Sequence, residues 1–538
     1  MNTNTLRTTR LCAALGLALA AWSAQAAADT TRVIVSFSNA EASANLRGAV
    51  ASLGGVTKVN LAHINAVAIE VPTKAVAQLR KLAGVKSVEV DAKRYIEPLK
   101  MEAVSANELL KQLDKGSDTE GIDFEGENTP YGIRQVQANA KLANAGTEPV
   151  KVCVIDSGLD SRHPEFANMD VDGAWDPGTG GWDELPLGSH GTHTAGTVAA
   201  QRNGLGVVGV ASRGEVSLYI VRVFDGSDVW AYSSTLAAAT QVCKTAGAKV
   251  INMSLGGEFP NAAERANFDQ LEADGILSIA ASGNSGIRTN GYPASYQSVV
   301  SVAATDRHAQ WASFSTFNSQ VELSAPGAGV ASTVPLGSGR MSTLTQNGVK
   351  YSSLPLVGSA ATGMYPPVMV ATYDFGLGDQ VDAGVAGKTC VISRGSISFA
   401  DKVTNCQNSG GVAAIIYNNA PGNFNGTLGA MVATIPVVSI SDTDGAAMVA
   451  AVPDVARVRV VALDYAYMSG TSMASPHVAG VAARLWHANP SCTNKQIRDT
   501  LDKSAKDMNE PGRDEKTGFG LVQLRDANDR IQALGCGN

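Results

Sequence analysis

Past residue 28 the sequence has no run approaching the roughly 18 consecutive apolar residues that a membrane-spanning helix requires. The chain without those first 28 residues is therefore expected to be soluble and free of the membrane. It is also sparing with charge: Asp, Glu, Lys and Arg make up 17% of 538 residues, against 44% apolar residues. That balance supplies a packed interior and excludes a disordered or fibrous protein. Most of the chain lacks any excess of basic residues. Formal charge is −7; Arg7 and Arg10 contribute +2, residues 29–100 contribute +4 from ten Lys or Arg against six Asp or Glu, and residues 101–538 are left at −13. An acidic body argues against nucleic acid as a partner, and a basic segment ahead of it can favour docking of one on the other. No internal repeat is visible. A single core is excluded by length, since the usual domain size implies roughly two to four units.

What is present begins with a secretory signal. Arg7 and Arg10 precede an apolar run at 11–22, and Ala24, Gln25 and Ala26 satisfy the small-residue cleavage pattern, so the chain is expected to be secreted. Cys12 leaves with that segment, and six cysteines remain: Cys153, Cys243, Cys390, Cys406, Cys492 and Cys536. An even number in an exported chain suggests disulfides. Cys390 with Cys406 and Cys492 with Cys536 are local pairs within what read as separate modules. Cys153 with Cys243 follows only by elimination, and two buried free thiols are the alternative there.

Three textures follow along the chain. Residues 31–37 and 66–71 alternate as strands, 84–91 is a further strand candidate, and 40–53 and 74–84 carry helical spacing. This small α+β unit runs into a polar, glycine-bearing stretch at 114–128 with the composition of a cleavable linker. From 150 to 335, short apolar runs such as KVCVIDSG, KVINMSLGG and ILSIAASGN alternate with helical segments, which argues for right-handed crossovers and a mostly parallel sheet in an α/β fold. Active groups in such sheets lie at the carboxyl ends of strands, where Asp156, Ser254 and Asn284 fall. Between 337 and 463 turns and short strands take over, with one helix expected at 398–409. The α/β pattern then resumes in a helix at 472–487.

Amide hydrolysis near neutral pH needs a nucleophile, a base, a group that fixes the base's tautomer, and donors for a developing oxyanion. Asp156 ends the buried run VCVID, where a carboxylate needs a partner to offset desolvation. His190 opens a helix in GSHGTHTAGTVAA, with small residues on the turns that follow. Ser472, in SGTSMASPHVAG, lies at a helix start, where unpaired N–H groups and the dipole favour negative charge. Pro476 is expected in the first turn, where it costs no intrahelical bond. Asn284, in the turn IAASGNSG, carries an amide that can donate to an oxyanion. Each alone reads better as a plain N-cap, turn or structural residue; four such segments in the order Asp, His, Asn, Ser on a parallel scaffold do not.

DSG, HGTH with AGT, SLGG, GN and GTSMASPHVAG resemble the motifs of subtilisin-like serine peptidases over about 129–335 and 464–525. The resemblance implies a three-layer fold with Ser472 as nucleophile, His190 as base, Asp156 holding the imidazolium, and Asn284 with the Ser472 N–H binding the oxyanion. His193 and His477 do not match the family's base. Substrate is expected to add as a strand along Ser254, Leu255 and Gly256, with Gly257, Ala281, Ser282 and Gly283 walling an uncharged first specificity pocket. Protein or peptide substrates, broad or apolar preference and a monomeric enzyme follow. A catalytically silent binding protein and a processing protease with one dedicated substrate are the alternatives.

By the same resemblance, residues 29–97 look like an inhibitory, fold-assisting propeptide, 98–128 a processing linker with its cut at 111–128, and 129–336 and 464–538 two parts of the peptidase. The insertion at 337–463 resembles a protease-associated domain. QRNGLGVVGVA at 201–211 resembles a Ca²⁺ loop whose oxygen ligands map to Asn203, Leu205 and Val207, with Glu165 and Glu127 standing for the family's usual Asp and Gln.

Overall fold

A computed structural model describes residues 29–39, 49–96, 127–142, 146, 148–176, 179–184, 188–224, 230–362, 367–424, 426–429 and 431–538. The proposed secretory signal, the cut at 111–128 (apart from 127 and 128) and most of the linker lie outside them.

The body is built on seven strands in the order Val321–Pro326, Val299–Thr305, Leu277–Ala281, Val250–Met253, Val150–Asp156, Val216–Arg222 and Val171–Trp175, with every neighbouring pair parallel. Near-continuous apolar runs suit strands covered on both faces. Because side chains alternate, Val152, Val154 and Ile279 meet Val198 of helix His190–Ala199 and Ala474, Val478 and Ala482 of helix Thr471–Ala488 on one side. Cys153, Ile155 and Met253 meet Leu236 of helix Ser233–Thr245 and Phe268 and Leu271 of helix Ala262–Ala273 on the other. The result is the three-layer α/β fold expected. All three cysteine pairs are bonded, Cys153–Cys243, Cys390–Cys406 and Cys492–Cys536, so the free-thiol alternative falls.

The N-terminal unit is a four-stranded antiparallel sheet ordered Val56–Leu61, Ala66–Pro72, Thr30–Phe37 and Val85–Val90. Val33, Val35 and Phe37 face its own core with Ile69 and Leu79. The alternate residues Ile34 and Ala68 face outward onto Ala237 and Ala263, on the two helices of the body's second face. Two carboxylates fasten the contact. Asp91 accepts from the Ser234 N–H at 3.0 Å at the start of helix Ser233–Thr245, and Glu89 accepts from the Ala262 N–H at 3.2 Å at the start of helix Ala262–Ala273. Both helix N-termini favour an anion. Of the helical spacing anticipated at 40–53, residues 40–48 lie outside the described residues and 49–52 are helical; of that at 74–84, Val76–Leu79 is helical, and Val56–Leu61 forms a strand that periodicity does not indicate.

The insertion folds around an eight-stranded sheet. Its entering strand, Gly339–Gln346, pairs with its leaving strand, Val455–Leu463, from Gly339 opposite Leu463 onward. The expected helix is present as Phe399–Asn408, capped by Ser398, and a second helix, Asp442–Ala450, accompanies it. Chain leaving the insertion pairs at once with the body: Tyr465–Met468 runs antiparallel to Val330–Thr333 and leads into the helix that carries Ser472. Among the described residues no helix is long and apolar enough to cross a membrane.

Candidate active site

Three segments far apart in sequence converge at the carboxyl end of the central strands. Asp156 is the last residue of Val150–Asp156 and is buried; its Oδ1 accepts the Ser157 N–H at 2.7 Å. His190 is the first residue of its helix. Its Nδ1 lies 2.9 Å and 3.0 Å from the two Asp156 oxygens, which fixes the proton on Nδ1 because only an N–H can face a carboxylate there. Nε2 is buried and makes no hydrogen bond. The imidazole is thus oriented as an acceptor with its accepting atom unused.

Ser472 is the second residue of helix Thr471–Ala488 and is fully buried. Its hydroxyl donates to the Ser254 carbonyl at 3.1 Å, and the Ser254 hydroxyl donates back to the Ser472 carbonyl at 2.7 Å. The second bond explains a departure from expectation. Pro476 lies inside the helix rather than in its first turn, so the Ser472 carbonyl, four residues earlier, loses its helical donor. Ser254 supplies the replacement. Its hydroxyl is oriented in turn by Asn252 Nδ2 at 3.1 Å, and Asn252 Oδ1 accepts from Ser475 at 2.7 Å.

Asn284 is held by its oxygen: Oδ1 accepts the Thr471 N–H at 2.8 Å and the Thr471 hydroxyl at 3.0 Å. That leaves Nδ2 as the donating end, beside the start of the serine helix. Ser282, Gly283 and Asn284, with Gly256 and Gly257, line a cavity of about 1310 Å³. The strand Lys93–Ile96 also lines it, and this strand was missed in sequence. It lies antiparallel between two edges of the body, with Ile96 opposite Leu255, Tyr95 opposite Gly256 and Trp230, and Lys93 opposite Tyr232. His193 and His477 stand apart in chemistry. Burial pushes them down to about 3 and about 4, and each donates one ring N–H to backbone, to Val330 and Ala466 and to Met473 respectively.

A family model described as the subtilase family matches residues 147–354 and 411–520. The chain belongs to the subtilase family. It is a subtilisin-like serine peptidase with a PA domain, matched at 353–448, and a putative peptidase inhibitor domain, matched at 15–91. Subtilisin NAT of Bacillus subtilis subsp. natto is 34% identical over 333 residues, covering 60% of this chain and 78% of its own. Subtilisin of Bacillus pumilus is 39% identical over 217 residues, 39% of this chain and 77% of its own. Among solved structures, the psychrophilic subtilisin-like protease Apa1 of the Antarctic psychrotroph Pseudoalteromonas sp. AS-11 aligns at a TM-score of 0.55 and 34% identity, over 77% of this chain and all of that one. Fervidolysin of Fervidobacterium pennivorans, a keratinolytic enzyme related to subtilisin, aligns at 0.57 over 93% of this chain and 61% of its own; at 22% identity it speaks for the fold alone.

The expected Ca²⁺ loop is only partly free to act as one. Glu165 is fully buried; Oε1 accepts from the Val207 N–H and the Tyr465 hydroxyl, each at 3.0 Å, while Oε2 has no partner and burial pushes the carboxyl up to about 7. Asn203 Oδ1 accepts the Leu205 N–H at 2.9 Å. Glu127 is committed elsewhere, with Oε1 on Arg202 at 2.5 Å and Oε2 on the Gly204 N–H at 3.0 Å. Among the described residues no group of three or more His, Cys, Asp or Glu side chains is arranged to hold a metal.

Proposed function

We propose that the chain is a secreted, self-processed serine endopeptidase in which Ser472, His190 and Asp156 form the catalytic triad. The observation that carries this reading is the Asp156–His190 contact at 2.9 Å, which leaves a buried, unpartnered Nε2 to take a proton. Turning the Ser472 hydroxyl from the Ser254 carbonyl to Nε2 makes it a nucleophile; His190 takes the proton as the oxygen adds to the scissile carbonyl, then returns it to the leaving amine. Asp156 stabilises the imidazolium. Asn284 Nδ2 and the Ser472 N–H receive the oxyanion, and water then hydrolyses the acyl-enzyme by the same steps reversed.

Substrate adds along Ser254, Leu255 and Gly256, with Gly257, Ala281, Ser282 and Gly283 forming an uncharged first pocket. The N-terminal unit acts as a propeptide: it covers two helices and lays Lys93–Ile96 along the Leu255–Gly256 edge of the cleft. Glu165, Asn203 and the carbonyls of Leu205 and Val207 would hold a structural Ca²⁺, to which the orphaned Glu165 Oε2 is suited, without Glu127. Clearing of casein that a serine-directed inhibitor abolishes tests the activity, and Ser472→Ala, which should accumulate an uncut precursor, tests the processing. Normal processing of that variant would assign the cut to another protease.

A further inference from the structure

The cleft-bound strand drives one cation deep into the body. Arg94 is fully buried, as is Glu264 on helix Ala262–Ala273. Arg94 Nε donates to Glu264 Oε1 at 2.9 Å and Nη2 to Oε2; Nη2 also donates to the Phe259 carbonyl at 3.1 Å, and Nη1 to the Lys93 carbonyl at 2.9 Å. Glu264 Oε2 accepts from the Tyr296 hydroxyl at 2.7 Å, and that hydroxyl is fixed by the Asn261 N–H at 2.9 Å. Gly257 keeps the entry open: a Cβ there would stand 2.3 Å from the Lys93 carbonyl and 3.0 Å from Arg94 Nη1.

The carboxylate belongs to the peptidase, whereas the guanidinium is brought by a strand held as a substrate would be. Register fixes its position. Tyr95 faces Gly256 and Ile96 faces Leu255, so the next residue of a bound chain would face Ser254, whose carbonyl accepts the Ser472 hydroxyl. Arg94 stands three residues before that one.

We infer that Glu264, with Tyr296 and the Phe259 carbonyl, forms an arginine-selective subsite for the fourth residue on the amino side of the bond cut in substrates. The inference rests on Ser472 being the nucleophile. Once the N-terminal unit leaves, Glu264 loses its counter-charge and faces the channel that Arg94 occupied, still held by the Tyr296 hydroxyl, and an incoming guanidinium restores the pair. Arginine's planar fork satisfies both oxygens together, and lysine offers only a point charge. Leucine leaves the carboxylate stranded, which is how a site built for hydrogen bonds rejects an analogue lacking them. An apolar first pocket and an arginine site farther along the strand are compatible, and together they would narrow a broad protease towards particular sequences.

The test uses processed wild-type enzyme and matched fluorogenic peptides that differ only at the fourth residue before the bond, as Arg, Lys or Leu. Arg should exceed Leu in kcat/KM by about 100-fold or more, since loss of the ligand strands a buried polar group, with Lys between them. Replacing Glu264→Gln together with Arg94→Gln, so that maturation buries no unpaired guanidinium, should bring the Arg and Leu peptides to comparable kcat/KM. If that variant does not mature, the wild-type comparison decides alone. Equal cleavage of the Arg and Leu peptides by wild type would overturn the inference and leave the peptidase reading intact. No hydrolysis of any peptide would overturn both.

Discussion

The Ser254 hydroxyl donates to the carbonyl of Ser472 at 2.7 Å, taking the place of the helical N–H that Pro476 cannot supply. Removing it in Ser254→Ala strands a buried carbonyl, so unfolding of the inhibited enzyme in urea should show a loss of about 1 to 3 kcal/mol. In a Pro476→Ala background, where an N–H returns four residues on, the same change should cost distinctly less. Equal losses in both backgrounds would show that the two groups do not substitute for one another.

Asn284 is anchored through its oxygen on Thr471, so Asn284→Ala deletes the Nδ2 donor and also takes the acceptor from the buried Thr471 N–H and hydroxyl at the start of the serine helix. Its kcat should fall by roughly 10²- to 10³-fold with KM little changed, the loss known for the corresponding change in subtilisin, this family's own example. A KM effect alone would place Asn284 in substrate binding.

The buried histidines set an acid limit. His477, at about 4, lies below the usual 6.5, so as pH falls below 6.5 the unfolded chain takes up a proton that the native side chain refuses. Stability present above pH 6.5 is then lost as pH falls towards 4, at about 1.4 kcal/mol per pH unit for one group. His477→Asn, which can keep a donor towards Met473, should lose less with acid, so its gap from wild type should narrow between pH 6.5 and 4. A constant gap would contradict the assignment.

Chelation probes the loop at 201–211. If Ca²⁺ is held by Glu165, Asn203, Leu205 and Val207, an excess of EDTA should lower Tm, and added Ca²⁺ should restore it. An unchanged Tm would remove the metal from the account.

Much of this was legible in the chain because the chemistry is written in local motifs. Asp156 ends an apolar strand, His190 opens a helix of small residues, and Ser472 lies near a helix start, all as their segments indicate. What escaped the sequence depends on partners elsewhere. KRYI at 93–96 has little reason of its own to be a strand and becomes one between two edges lent by the body. Glu264 sits on an ordinary polar helix, and only burial against Arg94 gives it meaning. Helix Asp442–Ala450 contains Gly445, which reads as a breaker; there a Cβ would stand 2.2 Å from Tyr417 Cβ, so packing selects the glycine. Helix rules alone place Pro476 in the first turn, because they do not count the Ser254 hydroxyl that replaces its missing N–H.

The central claim is that Ser472 is the nucleophile that His190 activates. Peptide mapping by mass after treatment with a serine-directed phosphonylating inhibitor tests it most directly. One adduct on Ser472, absent in His190→Ala, is predicted; an adduct on another serine, or inhibition with Ser472 unmodified, would contradict it.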